Sequence, residues 1–344
     1  MPQKGFGFFR QPGGRSERDD KEKEIFFMNI LVVTLSNLGD VIMTTPVMME
    51  LLSRFPEAKL TAVVGPRAKC VLEKSPDIRR IVVYDKKADL LSKWSFLREL
   101  RREKYDLVVD LRNTAIPFLV SCKKRSPLFR KFTRTNMRER HLEILKMMGM
   151  EPGNLPPFRF FDAADETACF EKLAAQGIAE KNGWILVAPG AASEKKRWAA
   201  DNFREVIRSL AVRTGKKVFL IGAQNERPIA ETVAQGMPGT IRIFCGAMTL
   251  AETAILISRA ALVIANDSAI MHLGFELGVP TVGIFGPTDH EKYGHTGPAF
   301  RIAREDGAAC SCKSHELPYA ARSCFHGLKP EKVLMHATEL LHGL

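Results

Sequence analysis

Two stretches of this chain set a carboxylate beside a helix start. They are SNLGDVIMTTP, with Asp40 after Gly39, and NDSAIMHL, with Asp267, Ser268, Ala269 and His272. In each, a β-branched run (Ile30–Thr34; Leu262–Ala265) reads as a buried strand that ends on a short polar turn and opens an amphipathic helix. Backbone N–H groups at such a start lack intrahelical acceptors and carry the positive end of the dipole, so each is a place to hold phosphate. A third stretch, APGAASEKKRW, follows a strand with small residues that admit a ligand to the backbone. It adds the Ser193 hydroxyl and the cations Lys195, Lys196 and Arg197. Each piece alone has a plain structural reading: Asp40 as a helix-start carboxylate, the basic run as a solvated turn, His272 as a packed helix histidine. Together they point to a two-lobed enzyme acting on a phosphorylated donor. No GxGxxG follows the first strand and no GK[ST] closes a glycine-rich loop, so neither a dinucleotide cofactor nor a Walker site is expected. With no DxD motif near either turn, the charge on a leaving diphosphate falls to Lys196, helix N-termini and hydroxyls.

The elements that must position these groups alternate. ILVVT is followed by a helix from about Asp40 to Phe55, LTAVV by a helix near Ala68–Lys74, and RIVVY by a helix over about Leu90–Glu103, before the strand LVVDL. Pro152, Gly153, Pro156 and Pro157 then read as a linker. After a bridging helix around Ala164–Gln176, WILVAPG opens a second series: helix Asp201–Thr214, KVFLIG, helix Arg227–Gln235, IRIF, helix Leu250–Ala260, LVIAND, helix Ala269–Leu277, TVGIFG. A last helix, Pro330–Leu341, fits against either lobe. The expected fold class is α/β, two Rossmann-like doubly wound lobes facing a central cleft where the strand C-termini meet. The expected divisions are a polar, basic extension over residues 1–27, disordered by composition, a first lobe over 28–160 and a second over 161–344.

The 344 residues leave room for two cores, and 45% hydrophobic with 26% charged residues is the composition of a soluble globular protein. No apolar stretch is long enough to span a bilayer, and no signal peptide is read. The formal charge of +12 is concentrated. Between Arg112 and Lys146 lie Lys123, Lys124, Arg125 and Arg130 among other cations, opposed only by Glu139 and Glu143. Sparse aromatics and the lack of a zinc-finger or RNP-like pattern argue against nucleic acid. A phosphorylated glycolipid or an anionic membrane surface suits the patch. Seven cysteines with no CxxC pair indicate a reducing compartment. Cys310, Cys312 and Cys324, near His315 and His326, lack the spacing of a zinc finger or ribbon and are read as structural or free thiols, with no metal site.

Taken in order, ILVVTLSNLGDVIMTTP, YDLVVDLRNT, PGAASEKKRW, NDSAIMHL…GVPTVGIFGPTD and a Cys-bearing tail ending PEKVL resemble glycosyltransferase family 9, the ADP-heptose:lipopolysaccharide heptosyltransferases. The resemblance runs from Met28 to Leu341. It implies a GT-B architecture with the acceptor on the first lobe and the nucleotide sugar on the second, an inverting displacement, no metal and no cofactor. It assigns Asp40 as general base, Lys196 to the donor diphosphate together with the amides of Ser268 and Ala269, Asp267 to the heptose hydroxyls and His272 as the motif histidine. Where the family tends to carry an acidic residue for the ribose, just after the strand equivalent to VFLIGA, this chain has Gln224, Asn225 and Glu226, and Glu226 is expected to serve instead. The chain departs from the family in carrying Ala191 and Ala192 where hydroxyl residues are common, and Ala269 where Gly is. The implied partners are ADP-heptose, a lipopolysaccharide inner-core acceptor (Kdo-lipid A or its heptosylated form) and an anionic membrane surface at the cytoplasmic face of the inner membrane. Three rivals stand beside this reading: a nucleotide-sugar epimerase, a protein heptosyltransferase with iron in the cysteine tail, and a non-catalytic sugar-nucleotide-binding relative.

Overall fold

A computed structural model of the chain describes residues 28–179, 181–237, 239, 241–305, 325 and 327–342. The extension over 1–27 and the residues Cys310, Cys312, His315, Cys324 and His326 lie outside the described residues. The first lobe runs β1 (Asn29–Val33), α1 (Leu38–Ile42), α2 (Thr45–Arg54), β2 (Lys59–Val64), a 3-10 turn Pro66–Val71 and β3 (Arg80–Val83). It continues through α3 (Leu90–Leu100), β4 (Tyr105–Asp110), α4 (Ile116–Leu119), β5 (Cys122–Arg125) and α5 (Met137–Met147). Helix α6 (Ala163–Ala175) leads to β6 (Ile185–Ala188), a 3-10 turn Glu194–Lys196, α7 (Ala200–Thr214), β7 (Val218–Leu220), a 3-10 turn Gln224–Glu226 and α8 (Arg227–Ala234). Then come β8 (Ile241–Ile243), α9 (Leu250–Ser258), β9 (Leu262–Asn266), α10 (Ala269–Glu276), β10 (Thr281–Ile284), α11 (His290–Tyr293), β11 (Phe300–Ala303) and α12 (Pro330–His342).

Every recorded strand pair is parallel, in two sheets of order β3-β2-β1-β4-β5 and β11-β10-β9-β6-β7-β8. The two apolar runs singled out above, β1 and β9, are interior strands, which is why they read as unbroken hydrophobic stretches. One continuous core joins the lobes: Ile30, Val32, Val41 and Ile42 belong to the same cluster as Ala265, Met271 and Leu273. Helix α6 ties them from outside, Lys74 pairing with Asp165 at 3.0 Å and Lys172 with Glu252 at 2.7 Å. Helix α12 packs on the second lobe, its Val333, Ala337 and Leu340 sharing a cluster with Val206 and Leu210 of α7 and Val282 of β10. Among the described residues no helix is long and apolar enough to cross a membrane.

Three elements differ from expectation. The helix expected over Asp40–Phe55 is two helices. Pro46, in the first turn of α2, has no N–H to continue the ladder, and Thr44 and Thr45 donate their hydroxyls to the Val41 and Ile42 carbonyls at 2.6 and 2.8 Å. The segment near Ala68–Lys74 forms only a 3-10 turn after Pro66. The basic run CKKR is a strand, β5, at the sheet edge. Main-chain pairing with β4 holds it there, so no apolar pattern marks it.

Candidate active site

Asp40 sits on α1, just beyond the C-terminal end of β1. Its turn is fixed by main-chain bonds to the neighbouring strand ends: Thr34 N–H donates to the Val63 carbonyl at 2.8 Å and Gly65 N–H to the Leu35 carbonyl at 3.2 Å. A Cβ on Gly65 would stand 2.8 Å from Ser36, so this close crossing needs glycine. Asn37 Nδ2 donates to Asp40 Oδ2 at 2.8 Å, and the carboxylate is half-buried. Its other oxygen, Oδ1, has no hydrogen-bond partner among the described residues.

From the opposite lobe, α10 approaches end-on. A Cβ on Gly39 would come within 2.8 Å of His272 Cδ2 and 3.9 Å of the Ala269 Cα, so the backbone of α1 rests directly on the first turn of α10. Ser268 precedes that turn with extended φ and ψ and a buried hydroxyl that has no hydrogen-bond partner among the described residues. Lys196 Nζ reaches Asp267 Oδ2 at 2.7 Å, which holds an ammonium beside the orphan N–H groups of α10. Ser193 precedes Lys196 on the same 3-10 turn, its carbonyl accepting from Lys196 N–H at 3.0 Å. The structure thus brings Asp40, Lys196, Asp267, Ser268, Ala269 and His272 to one place across the cleft.

Glu226 and Gln224 line the next strand ends. Glu226 Oε2 accepts from Ala223 N–H at 2.8 Å, and its carboxylate lies against the Cα atoms of Gly190 and Gly222. Gln224 covers Gly246 in the same way. The four basic residues are dispersed. Lys123 pairs with Asp106 at 2.7 Å toward the N-terminal end of β4, away from the cleft edge. Lys124 donates to the Met148 carbonyl at 2.7 Å, and the Arg125 guanidinium lies 5.0 Å over the Phe118 ring. Arg130 Nε–H donates to the Pro127 carbonyl at 2.6 Å. Burial lowers its guanidinium pKa against the Asp110 carboxylate, and its charge in turn bears on His141.

Sequence reading missed three positioning residues. Asn266, fully buried, donates Nδ2 to the Pro189 carbonyl at 2.8 Å and accepts Trp198 N–H at 3.1 Å, so it stitches the Lys196 loop to β9. The amide at the end of an otherwise apolar strand was the signal. Asp110 folds the loop after β4, accepting Arg112 N–H at 2.8 Å and the Thr114 hydroxyl at 2.9 Å, with Asn113 left-handed at φ 60. His141 of α5 lies under the Asp40 turn, Nδ1 3.3 Å from the Met43 carbonyl. On the far side of α10, Arg138 Nε donates to buried Glu276 at 2.7 Å and Asn136 Nδ2 to the Gly294 carbonyl at 2.6 Å, both across the lobes. Burial raises the Glu276 pKa, with Arg138 opposing. Among the described residues no three His, Cys, Asp or Glu side chains are grouped as metal ligands.

Two consequences are testable. Gly39→Ala should drive α1 off His272 and cut turnover about 100-fold, since a displacement near 1 Å at a reacting group has that effect. Stability should fall by only about 1–3 kcal/mol, the cost of overpacking. Steady-state kinetics beside thermal melts check it; unchanged kcat would mean the contact does not set the Asp40 position. The second concerns pH. Burial pushes His141 and His272 down to about 4 and His295 to about 3, and for His272 it does so against the pull of Asp267 and Asp40. Their folded pKa values lie below the usual 6.5, so the native state binds fewer protons than the unfolded chain. That stability is fully present above about pH 6.5 and is lost as pH falls toward 4, on the order of a few kcal/mol per histidine. Melting temperature should drop steeply over that window, and less so in His295→Phe. A flat profile would show that these rings are not held neutral.

Comparison with known proteins follows the same lines. The family model described as glycosyltransferase family 9 (heptosyltransferase) matches residues 153–320. The chain is 26% identical over 284 residues to lipopolysaccharide heptosyltransferase 3 of Escherichia coli K12, covering 73% of this chain and 80% of that one. The glycosyl transferase family 9 structure from Veillonella parvula superposes with a TM-score of 0.77 at 24% identity, over 92% of this chain and 98% of that one. E. coli heptosyltransferase WaaC with ADP gives 0.70 at 19% identity, over 91% of this chain and 100% of that one. The fold is therefore GT-B. A family model on the lobe that carries Lys196 and Asp267, and an aligned relative over most of the chain, agree: the chain is similar to the heptosyltransferases of glycosyltransferase family 9.

Proposed function

We propose that the protein is an inverting, metal-independent heptosyltransferase that moves heptose from ADP-heptose to the lipopolysaccharide inner core at the cytoplasmic face of the inner membrane. The observation that carries this reading is the meeting of Asp40, from one lobe, with Lys196, Asp267, Ser268 and His272, from the other, at the C-terminal edges of two parallel sheets. The names of the aligned relative and of the ADP complex support the donor and acceptor classes.

In this reading residues 161–344 hold the donor and residues 28–160 the acceptor. The diphosphate lies against the first turn of α10, the Ser268 hydroxyl and Lys196, with Ser193 at the loop. Glu226 and Gln224 face the nucleotide, and Asp267 faces the heptose. The acceptor hydroxyl oxygen attacks the anomeric carbon as the bond to the diphosphate breaks. Asp40 takes the hydroxyl proton, and ADP leaves with the bonding pair, its charge met by Lys196 and the α10 N–H groups. One displacement inverts the anomeric centre. Buried neutral His272 packs between the two halves and keeps them in register. Arg130 meets anionic groups of the acceptor, with Lys124 and Arg125 farther along the edge strand.

The experiment is to incubate purified protein with ADP-heptose and either Kdo-lipid A or its monoheptosylated form, and read products by mass. One added heptose on one acceptor is the expected result. Hydrolysis or isomerisation of donor without acceptor would replace the reading with an epimerase-type reaction. ADP binding without turnover would make the protein a sugar-nucleotide binder.

A further inference from the structure

The strands of the first sheet alternate between two faces. Ile30 and Val32 enter the core shared with the second lobe, whereas Leu31, Val33, Val63 and Val82 point to the opposite side. Among the described residues that outer face is closed by a small cluster with Phe96 and Leu100 of α3, Ile116 of α4 and Val120 just after it. Beyond this buried stripe, α3 presents Leu90, Leu91 and Trp94 to solvent at 75%, 80% and 64% exposure. Helix α4 lies against its end, the Arg101 Nε–H donating to the Leu119 carbonyl at 2.7 Å, and adds exposed Phe118 and Leu119.

The rim of this apolar face is cationic. Lys86, Lys87, Arg98 and Arg102 are exposed around it, and Arg125 covers Phe118. Of the neighbouring acids, two are ion-paired and two cap local turns. Glu99 and Glu103 pair with Arg80, while Asp85 and Asp89 accept the Lys87 and Ser92 backbone N–H groups. Large exposed apolar side chains with a tryptophan, ringed by Lys and Arg, match the interfacial layer of an anionic bilayer: Leu enters the acyl boundary, Trp lies at the headgroups, and the cations meet lipid phosphate. The position fits as well. A crossover helix returns antiparallel to its strands, so the first turn of α3 stands at the C-terminal edge of the sheet, the edge that carries Asp40.

We propose that the outer face of α3, with α4 beside it, docks the protein on an anionic lipid bilayer and sets the mouth of the cleft at the membrane. Docking itself is independent of the reaction; its use in presenting a lipid-linked acceptor rests on the transferase reading.

Of the three tryptophans only Trp94 is exposed, Trp184 and Trp198 each being 2% accessible, so its emission reports this surface directly. Full-length protein, without donor or acceptor, would be mixed with phosphatidylcholine vesicles lacking or containing phosphatidylglycerol. Co-sedimentation, the Trp94 emission shift and quenching by brominated acyl chains would be read. Binding should be at least about tenfold tighter to the anionic vesicles, with a blue shift and quenching. Leu90→Ser/Leu91→Ser should weaken it about tenfold or more, and Arg98→Gln about fivefold. No co-sedimentation, or co-sedimentation with unchanged Trp94 emission, would overturn the proposal. So would vesicle-free self-association abolished by the Leu90/Leu91 variant, which would make the face a contact between copies of the chain. Transfer to detergent-dispersed acceptor, run in parallel, separates the two readings. Its presence without docking leaves the transferase standing, and docking without transfer leaves the surface standing.

Discussion

Replacing Asp40 by Asn is expected to lower kcat by about 10²–10⁴-fold, the range over which a positioned general base contributes. ADP affinity should be unchanged. The substitution is close to isosteric, and the Asn37 amide still finds an oxygen acceptor at the place it now donates, 2.8 Å from Oδ2. What is lost is the second oxygen's capacity to take a proton. In the proposed reaction, this carboxylate on a half-buried turn, opposite the lobe that holds Lys196, is the group that would deprotonate the acceptor hydroxyl at the moment of attack. Product mass, kcat and ADP titration in the same preparation decide the matter. Wild-type turnover in Asp40→Asn would remove Asp40 as base, and parallel loss of ADP binding would assign it to the donor site.

Lys196→Met should weaken ADP binding by about 2–4 kcal/mol, the scale for removing one partner of a largely buried charge pair. The cause is twofold. In the proposed donor site the diphosphate would lose its cation, and Asp267, only 5% exposed, would be left as an uncompensated carboxylate facing the same anion. The double variant Lys196→Met/Asp267→Asn separates these effects. It should recover the melting temperature lost in the single variant while ADP binding stays weak. If ADP binding also returns, Lys196 acts only to neutralise Asp267 and does not hold the donor. Calorimetric titration with ADP and thermal unfolding of wild type and the two variants give both numbers.

Much of the fold was legible because its signals are local. The interior strands β1 and β9 are buried on both faces and so appear as uninterrupted apolar runs. The helices opened at polar turns, as at Asp162, whose side chain caps α6, and Thr249, which caps α9. What escaped were elements defined by their neighbours. Edge strand β5 gains its hydrogen bonds from β4 and faces water with Lys and Arg. Pro46 divides α1 from α2 where an amphipathic pattern continues unbroken. Asn266 and His141 looked unremarkable because their partners lie 68 and 98 residues away.

The sequence by itself determined the two parallel α/β lobes, the strand-to-helix turns that bear Asp40 and Asp267, and the cation that follows β6. These depend on hydrophobic period, turn chemistry and charge within a dozen or so residues. Only the tertiary structure decided that Gly39 rests on His272, that Lys196 meets Asp267, that Arg138 of the basic run bridges to Glu276 of the second lobe, and that α12 stays on the second lobe. Those are distances between segments far apart in the chain. They follow from how two shared-core lobes pack, a property no local pattern carries.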